Sequence, residues 1–133
     1  MKVKLSFQEN SVLIDGEGIE LYQAKSIVKA IGRGFSPKNA FRLLDENETL
    51  EIIDLGQFND NRLRIIKSRL IGTKGKTWKM IENFSGCSLS IYGKTVSIIG
   101  SYEQLNIARE AVQMIIRGSK HSKVYGFLQQ SRL

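Results

Sequence analysis

The segment Gly72-Thr73-Lys74-Gly75 has the residue types and the spacing to contact a phosphate group. Two glycines let the backbone turn tightly and approach a ligand, because no Cβ stands in the way. A helix is predicted over residues 76–84, so its free N–H groups and its positive dipole end would face the same ligand. Lys74 adds a point charge to the turn. By itself this spacing is a weak signal, and the surrounding residues must support it.

Few other side chains offer chemistry. The sequence has one cysteine, Cys87, and one histidine, His121, which excludes an internal disulfide, a cysteine-rich metal site and a histidine-based zinc site or triad. Gly75-Lys76-Thr77 ends like a nucleotide-binding Walker loop, but that loop also needs a glycine where this sequence has Leu70. We therefore expect a protein that is not an enzyme and holds no metal or other cofactor.

Positive charge is concentrated in the second half of the sequence. Residues 1–58 hold seven basic and nine acidic side chains, a net of −2, whereas residues 59–133 hold thirteen basic and four acidic, a net of +9. Such a concentration favours binding of a nucleic acid over a merely solvated surface. A membrane surface fits less well, because the apolar residues form no separate stripe with aromatic anchors. The densest run contains Arg62, Arg64, Lys67, Arg69, Lys74, Lys76 and Lys79.

The composition is that of a globular protein, with 41% hydrophobic and 25% charged residues in a chain of 133. No apolar run approaches the length of roughly 18 residues that a membrane span needs. No apolar signal region follows the first four residues, so a cytoplasmic location is expected.

Apolar periodicity and turn residues predict the elements that position the glycine-lysine segment. A hairpin is predicted over residues 3–14, a helix over 19–31, and a short helix that starts at Ser36-Pro37 and runs to Leu44. A strand over 50–55, helices over 62–71 and 76–84, a hairpin over 89–98 and a long helix over 103–116 complete the chain.

The sequence also contains an internal repeat. When the chain is shifted by 84 positions, Gly16 falls on Gly100 and Arg33-Gly34 on Arg117-Gly118, without a gap. Apolar positions of the hairpin and the helix also coincide, and Leu5, Val12, Leu21, Val28 and Ile31 fall on Leu89, Val96, Leu105, Val112 and Ile115. A unit of hairpin, helix and short helix therefore occurs twice, and in the second copy alone a strand and two helices precede it.

The residues around the glycine-lysine segment resemble a KH domain. Leu70-Ile71 before the first glycine, Ile81, and Ser85-Gly86-Cys87 followed by an alternating strand fit its pattern of Ile-Gly-x-x-Gly, apolar helix positions and Thr-Gly-Ala. The order of elements over residues 49–117 is similar to the type I KH fold, of the α+β class with a three-stranded antiparallel sheet. In that family the GxxG loop clamps about four single-stranded nucleotides against an apolar groove.

The resemblance implies an RNA-binding site residue by residue. Gly72, Thr73, Lys74 and Gly75 would form the clamp, and the cations Arg69, Lys76 and Lys79 would flank it. Ile71, Ile81 and Leu89 would lie on the groove wall or beneath it.

Nearly the whole chain resembles one particular KH family, the archaeal relatives of the small-subunit assembly factors called Dim-two or Partner of NOB. Residues 28–37 and 123–126 carry this narrower likeness. It implies binding to small-subunit ribosomal RNA near its 3′ end, with a NOB-type endonuclease or a translation initiation factor as a partner. We expect residues 1–46 to form a partial KH-like unit, without its first strand and two helices, and residues 47–133 a complete type I KH domain.

Two other functions stay open at this point. The net negative first half suits a protein–protein adaptor that docks an endonuclease or an initiation factor. A generic KH protein that binds messenger RNA or single-stranded DNA would show the same motifs.

Four further features have a structural interpretation, and a fifth, Tyr92, has two. Trp78 is expected in the core rather than stacked on a base, Cys87 as a small buried thiol, and His121 at the start of the last short helix. Gly32-Arg33-Gly34 is interpreted as a helix end. Tyr92, in an exposed turn, is equally compatible with base stacking and with a plain turn residue.

Overall fold

The computed structural model describes residues 4–8, 11–15 and 18–131. Its strands are β1 (Lys4–Gln8), β2 (Ser11–Asp15), β3 (Thr49–Asp54), β4 (Ser88–Tyr92) and β5 (Thr95–Gly100). Its helices are α1 (Gly18–Gly32), α2 (Pro37–Ala40), α3 (Asp60–Ile71), α4 (Lys76–Ser85), α5 (Tyr102–Ile116) and α6 (His121–Gln130). Short 3₁₀ turns follow α2 (Phe41–Leu44) and α3 (Thr73–Gly75). Each predicted element is confirmed to within a few residues, except that residues 9–10 of the first hairpin's turn lie outside the described chain.

Three of these helices, α2, α3 and α5, begin at a residue whose side chain caps the helix N-terminus. Ser36 accepts a hydrogen bond from the Asn39 N–H at 3.3 Å, and Pro37 occupies the first helical position of α2. Asn59 caps α3 in the same way. Ser101 and the third residue of α5 cap each other's backbone N–H groups. Each cap satisfies N–H groups that a helix start leaves without an internal partner.

Two antiparallel sheets organise the chain. β1 and β2 form a hairpin, and the second sheet has the order β3-β5-β4. Helices α3, α4 and α5 cover one face of the three-stranded sheet through a core that includes Val96 and Ile98 of β5. This arrangement confirms the α+β class and the predicted order strand, helix, helix, strand, strand, helix.

The opposite face of the three-stranded sheet is covered by the first half of the chain. Ile99 of β5 points to that face and is fully buried in a second cluster with Ile27 and Ala30 of α1. Phe35 and Leu43 complete the contact from the segment after α1. Strand side chains alternate between faces, so β5 contributes apolar residues to both clusters.

The internal repeat is visible in the backbone. β4, β5 and α5 begin 84 positions after β1, β2 and α1, and the two hairpins share one register, in which Leu5 pairs with Ile14 and Leu89 with Ile98. Both long helices end in a Schellman motif, with φ +97° at Gly34 and +95° at Gly118. The interpretation of Arg33-Gly34 as a helix end is therefore confirmed.

The helices of the described chain are too short or too polar to cross a bilayer.

Candidate nucleic-acid interface

The GxxG loop joins α3 to α4 with positive φ angles at three of its four residues. Gly72 has φ +73°, Lys74 φ +57° and Gly75 φ +74°. Lys74 is the one residue other than glycine with a positive φ among those the structure describes. A left-handed conformation costs such a residue roughly 1–2 kcal/mol, and strain of this kind concentrates at ligand sites. The loop therefore holds the Lys74 backbone in a strained form between two glycines.

The two glycines are needed for different reasons. A Cβ on Gly72 would lie 2.3 Å from Thr77 Oγ1 and 2.9 Å from the Thr77 backbone nitrogen, so no side chain fits there. A Cβ on Gly75 would meet nothing within 4 Å, and only its positive φ favours glycine. The first glycine allows the loop to pack on α4, and the second leaves its outer surface open.

Helix α6 supports the loop from behind. The buried Thr77 hydroxyl lies 3.0 Å from the Tyr125 hydroxyl, in a hydrogen bond in which either group can donate. The His121 ring stacks on Tyr125 with ring centroids 6.0 Å apart, and His121 Nε2 lies 3.0 Å from the Arg69 carbonyl oxygen. His121 is also the first residue of α6, as predicted. The pairing across 48 positions has no local sequence signal, and sequence reasoning missed it.

Arg69 has a different environment from the other predicted cations. Its guanidinium donates hydrogen bonds to the Ile115 carbonyl at 2.9 Å and to the Ser119 carbonyl. Carbonyls at a helix C-terminus carry partial negative charge and attract cations. Arg69 therefore joins α3 to the end of α5 through both terminal nitrogens of its guanidinium.

The remaining cations of the predicted site are exposed to solvent. Lys74, Lys76 and Lys79 are exposed, and none of them forms an ion pair with a residue in the described ranges. Thr73 is exposed beside them. Unpaired lysines around a strained glycine loop produce a local positive potential that suits a phosphate backbone.

Apolar residues of the predicted groove divide into exposed and buried ones. Ile71, directly before the loop, is 38% exposed, whereas Ile81 and Leu89 are buried beneath the surface. Trp78 is half-buried against the same core, which agrees with its predicted structural role. Only Ile71 of the three predicted groove residues therefore offers substantial apolar surface to a base.

A groove follows the outer face of α3. It begins at Ile71 beside the loop and reaches Lys67, whose Nζ donates a hydrogen bond to the Gly93 carbonyl at 3.0 Å. The groove thus follows α3 along its length, and the Lys67 hydrogen bond joins this helix to the β4–β5 turn. The groove is lined by Asp60, Leu63, Arg64, Lys67, Ser68 and Ile71.

The thiol of Cys87 is a core group rather than a reactive one. It is 4% exposed, and burial raises its pKa to about 11, although a hydrogen bond with Ser85 acts in the opposite direction. A thiol that stays protonated at neutral pH is a poor nucleophile and a poor metal ligand. The prediction of a small buried thiol is confirmed.

A family model described as "Eukaryotic type KH-domain (KH-domain type I)", for the second KH domain of PNO1-type proteins, matches residues 49–132. The chain belongs to this KH family. The match covers β3 through α6 and includes the loop described above, and it confirms the family resemblance found in the sequence.

Two relatives show how far the likeness extends. A KH domain-containing protein of Methanocaldococcus jannaschii is 43% identical over 116 residues, which are 86% of this chain and 51% of that protein. The pre-rRNA-processing protein PNO1 of Coccidioides immitis is 34% identical over 82% of this chain and 44% of its own length. The chain therefore spans about half the length of these relatives.

Solved structures confirm the fold over most of the chain. Dim2p from Pyrococcus horikoshii OT3 is 43% identical, with a TM-score of 0.89 over 97% of this chain and 81% of that one. The crystal structure of the a/eIF2alpha-aDim2p-rRNA complex from the same organism contains a matching chain, also 43% identical, with a TM-score of 0.88 over 97% and 76%. The type I KH fold is thus present together with the additional hairpin and helix that precede it.

Proposed function

We propose that the chain binds single-stranded RNA through the GxxG loop, as a factor in the assembly of the small ribosomal subunit and the processing of its rRNA near the 3′ end. The observation that carries this proposal is the loop itself, in which Gly72 packs on Thr77 while Lys74 stands exposed and unpaired between two glycines of positive φ. Two relatives support it, since one is named a pre-rRNA-processing protein and another was solved in a complex with rRNA.

The loop would hold the RNA backbone, and the groove would accept its bases. Thr73 and Lys74 contact phosphates at the tip, Lys76 and Lys79 add charge from α4, and the exposed Ile71 offers apolar surface to an unstacked base. Arg69 acts indirectly, because its guanidinium secures the end of α5 while its carbonyl meets His121. The activity is binding without catalysis, in the cytoplasm.

The two halves of the chain would have separate tasks in this function. We propose residues 1–46 as a partial KH-like unit and residues 47–133 as the complete KH domain that carries the loop. α1 and the segment after it cover the sheet face opposite the loop helices, as Ile27, Phe35 and Ile99 show. Residues 1–46 therefore stabilise the RNA-binding domain.

Fluorescence anisotropy with a labelled single-stranded RNA that copies the 3′ end of small-subunit rRNA tests the proposal. The double variant Thr73→Asp, Lys74→Asp adds two carboxylates at the exposed tip of the clamp, where they repel phosphate without entering the core. At one fixed salt concentration we expect this variant to lose at least about tenfold in affinity, because charged groups at phosphate contacts dominate RNA affinity.

A charge-matched control separates the clamp from diffuse attraction. Lys123→Asp with Gln129→Asp changes the net charge by the same amount, at exposed positions of α6. If both double variants weaken binding equally, the affinity is diffuse and the clamp is not the site. A scrambled RNA of equal length reports sequence preference, and equal affinity for both RNAs would favour the generic KH alternative.

A protein–protein adaptor is the second candidate function. It is favoured by the acidic link between the two halves, where Asp45 and Glu46 are exposed, and by the a/eIF2alpha subunit solved with a relative. Asp45→Lys with Glu46→Lys should then abolish capture of a purified a/eIF2alpha subunit and leave RNA affinity unreduced. Unchanged capture would remove this link from the adaptor hypothesis.

A further inference from the structure

β3 is an edge strand, and its outer side has no partner among the residues that the structure describes. It pairs with β5 alone, along its whole length. The same register continues at Leu55, whose N–H donates a hydrogen bond of 2.7 Å to the Lys94 carbonyl. The ladder bonds of an antiparallel pair fall on every second residue, so the odd-numbered residues of β3 bond to β5. Leu50 and Ile52 therefore turn their N–H and C=O groups outward, away from the sheet.

The opposite edge of the same sheet is closed. On β4, the Leu89 N–H donates a hydrogen bond of 2.8 Å to Glu82 Oε2, a side chain of α4. The end of α1 also lies on this strand, because a Cβ on Gly34 would meet Ser90 Oγ at 2.6 Å. A side chain and a helix end thus cover β4, whereas the structure shows no such cover on β3 within the described chain.

β3 also lacks the features with which proteins commonly protect an exposed strand. Its sequence contains neither proline nor lysine, and its register with β5 has no bulge. Its central charge is neutralised, since Arg109 donates hydrogen bonds of 2.7 and 2.8 Å to the two carboxylate oxygens of Glu51. A straight and unprotected edge of this kind accepts a further strand.

A groove of about 470 Å³ lies between this edge and α1. Leu50 and Ile52 form its side on β3, and Tyr22 of α1, 70% exposed, stands across from them. Lys25 and Lys29, one helical turn apart on α1, line the same groove. Both lysines are exposed, and neither forms an ion pair within the described ranges. The edge thus combines outward peptide groups, apolar side chains and a basic rim.

We propose that β3 accepts an extended, acidic segment of a partner protein as a fourth strand of the sheet. The backbone of that segment exchanges hydrogen bonds with Leu50 and Ile52, and its side chains on the α1 side enter the groove beside Tyr22. Its carboxylates pair with Lys25 and Lys29. The groove lies on the face of the sheet opposite the helices that carry the GxxG loop, so this contact goes beyond RNA binding and leaves the loop accessible.

Two other occupants fit this edge less well. A second copy of the chain, paired through its own β3, would turn Lys25 and Lys29 of one molecule towards those of the other, and like charges repel. A nucleic acid would use the two lysines but neither the outward peptide groups nor the apolar side chains of Leu50 and Ile52. Charge and backbone together favour an acidic polypeptide.

The test uses a labelled, end-capped peptide with the sequence threonine-glutamate-threonine-valine-threonine-glutamate-threonine. Alternation places its valine and both glutamates on one face of an added strand. A second peptide has lysine in place of each glutamate. At fixed salt we expect the acidic peptide to bind at least about tenfold more tightly, because the basic rim attracts one peptide and repels the other. Equal affinities, or no binding of the acidic peptide, overturn the proposal.

Hydrogen exchange of the backbone amides shows whether a strand is added. The acidic peptide should slow exchange at Leu50 and Ile52, whose N–H groups face outward. Exchange at Glu51 and Ile53 should stay unchanged, because their N–H groups already bond to β5. Equal slowing at all four residues would mean that the peptide stabilises the whole fold, and it would overturn the proposal. Slowing at Leu50 and Ile52 in a dimer without peptide would assign the edge to a second copy instead.

Matched variants identify the groove. Lys25→Glu with Lys29→Glu should weaken binding of the acidic peptide at least about tenfold, whereas Lys120→Glu with Lys123→Glu makes the same change in net charge at the start of α6 and should not. Ile52→Pro removes an N–H that β5 does not use and should abolish binding, while Ile52→Ala keeps this N–H and should lose less. Circular dichroism verifies that each variant folds. Equal losses in the two charge variants would overturn the proposal.

RNA binding by the same variants separates this site from the clamp. Lys25→Glu with Lys29→Glu should bind single-stranded RNA like the Lys120→Glu, Lys123→Glu control. A selective loss of RNA affinity with unchanged peptide binding would make the groove a nucleic-acid surface and overturn the proposal. The Thr73→Asp, Lys74→Asp variant should bind the acidic peptide like the wild type, so failure of the clamp and failure of the edge site are distinguishable.

Discussion

The two copies of the repeated unit share a backbone and differ in what their short helices contact. In the second copy, α6 starts at His121 and places the Tyr125 hydroxyl 3.0 Å from Thr77, directly behind the GxxG loop. In the first copy the equivalent positions hold Pro37 and Phe41, and Phe41 is 49% exposed. The same pattern of hairpin, helix and Schellman ending therefore supports a loop in one place and covers the back of a sheet in the other.

This difference shows that the repeat determines the local backbone, and a few side chains determine its use. Both long helices end with an arginine and a left-handed glycine. Arg117 then pairs with Glu110 at 2.9 Å, whereas Arg33 lies over Tyr92. Paired substitutions at equivalent or neighbouring positions can therefore separate backbone effects from contacts that one copy alone makes.

The largest effect is expected in the loop that the second copy supports. Gly72→Ala adds a Cβ that collides with Thr77 and forces a positive φ on alanine, so we expect a loss of about 2–4 kcal/mol in the free energy of unfolding. Gly75→Ala carries only the backbone strain and should cost about 1 kcal/mol. Urea denaturation followed by circular dichroism measures both, and equal losses would show that Gly72 does not pack on α4.

The second-largest effect is expected at the glycines that follow α1 and α5, where equivalent substitutions should differ in their cost. Gly34→Ala and Gly118→Ala impose the same backbone strain of roughly 1 kcal/mol, since φ is +97° and +95°. Only Gly34→Ala also presses on Ser90 and Tyr92, so it should be the more destabilising variant, by about 1 kcal/mol or more. Thermal unfolding of both proteins checks this order. A larger loss for Gly118→Ala would argue against docking of α1 on β4.

A smaller effect tests the support of the loop by α6. Tyr125→Phe leaves the buried Thr77 hydroxyl without its partner, at a cost of about 1–2 kcal/mol, while Phe41→Leu in the first copy should cost less than about 0.5 kcal/mol. A double-mutant cycle of Tyr125→Phe with Thr77→Val isolates the interaction. Additive effects in that cycle would mean that the two hydroxyls do not interact.

The smallest effect concerns the two equivalent arginines. The Arg117–Glu110 pair is exposed, so Arg117→Gln should change the free energy of unfolding by no more than about 0.5 kcal/mol. Arg33→Gln should be equally mild, because Arg33 forms no ion pair within the described residues. Denaturant midpoints test both. A loss well above this range for Arg33→Gln would show that the contact of Arg33 with Tyr92 stabilises the fold.

The sequence allowed the elements, the repeat and the loop to be predicted because their signals are local. Ser36-Pro37, the left-handed glycines and the apolar periods act within a few residues of the structure they specify. The burial of Ile99 against α1 could not be predicted in this way, since alternation in β5 does not say which element covers the second face of the sheet.

The site was predicted in part for the same reason. The motif identified the loop and its exposed lysines, but no local pattern indicates that the Arg69 guanidinium meets two carbonyls near the end of α5. The Tyr125–Thr77 pair and the Arg33–Tyr92 contact were also missed, because each joins residues that lie far apart in the sequence.

An NMR titration of the ¹⁵N-labelled wild-type chain with single-stranded RNA at fixed salt tests the GxxG site most directly. We predict the largest amide shift changes at Gly72–Lys76, with smaller changes along the groove of α3, and little change over residues 37–44 of the first copy. Shift changes spread evenly over both copies, or absent from the GxxG loop, would contradict this prediction.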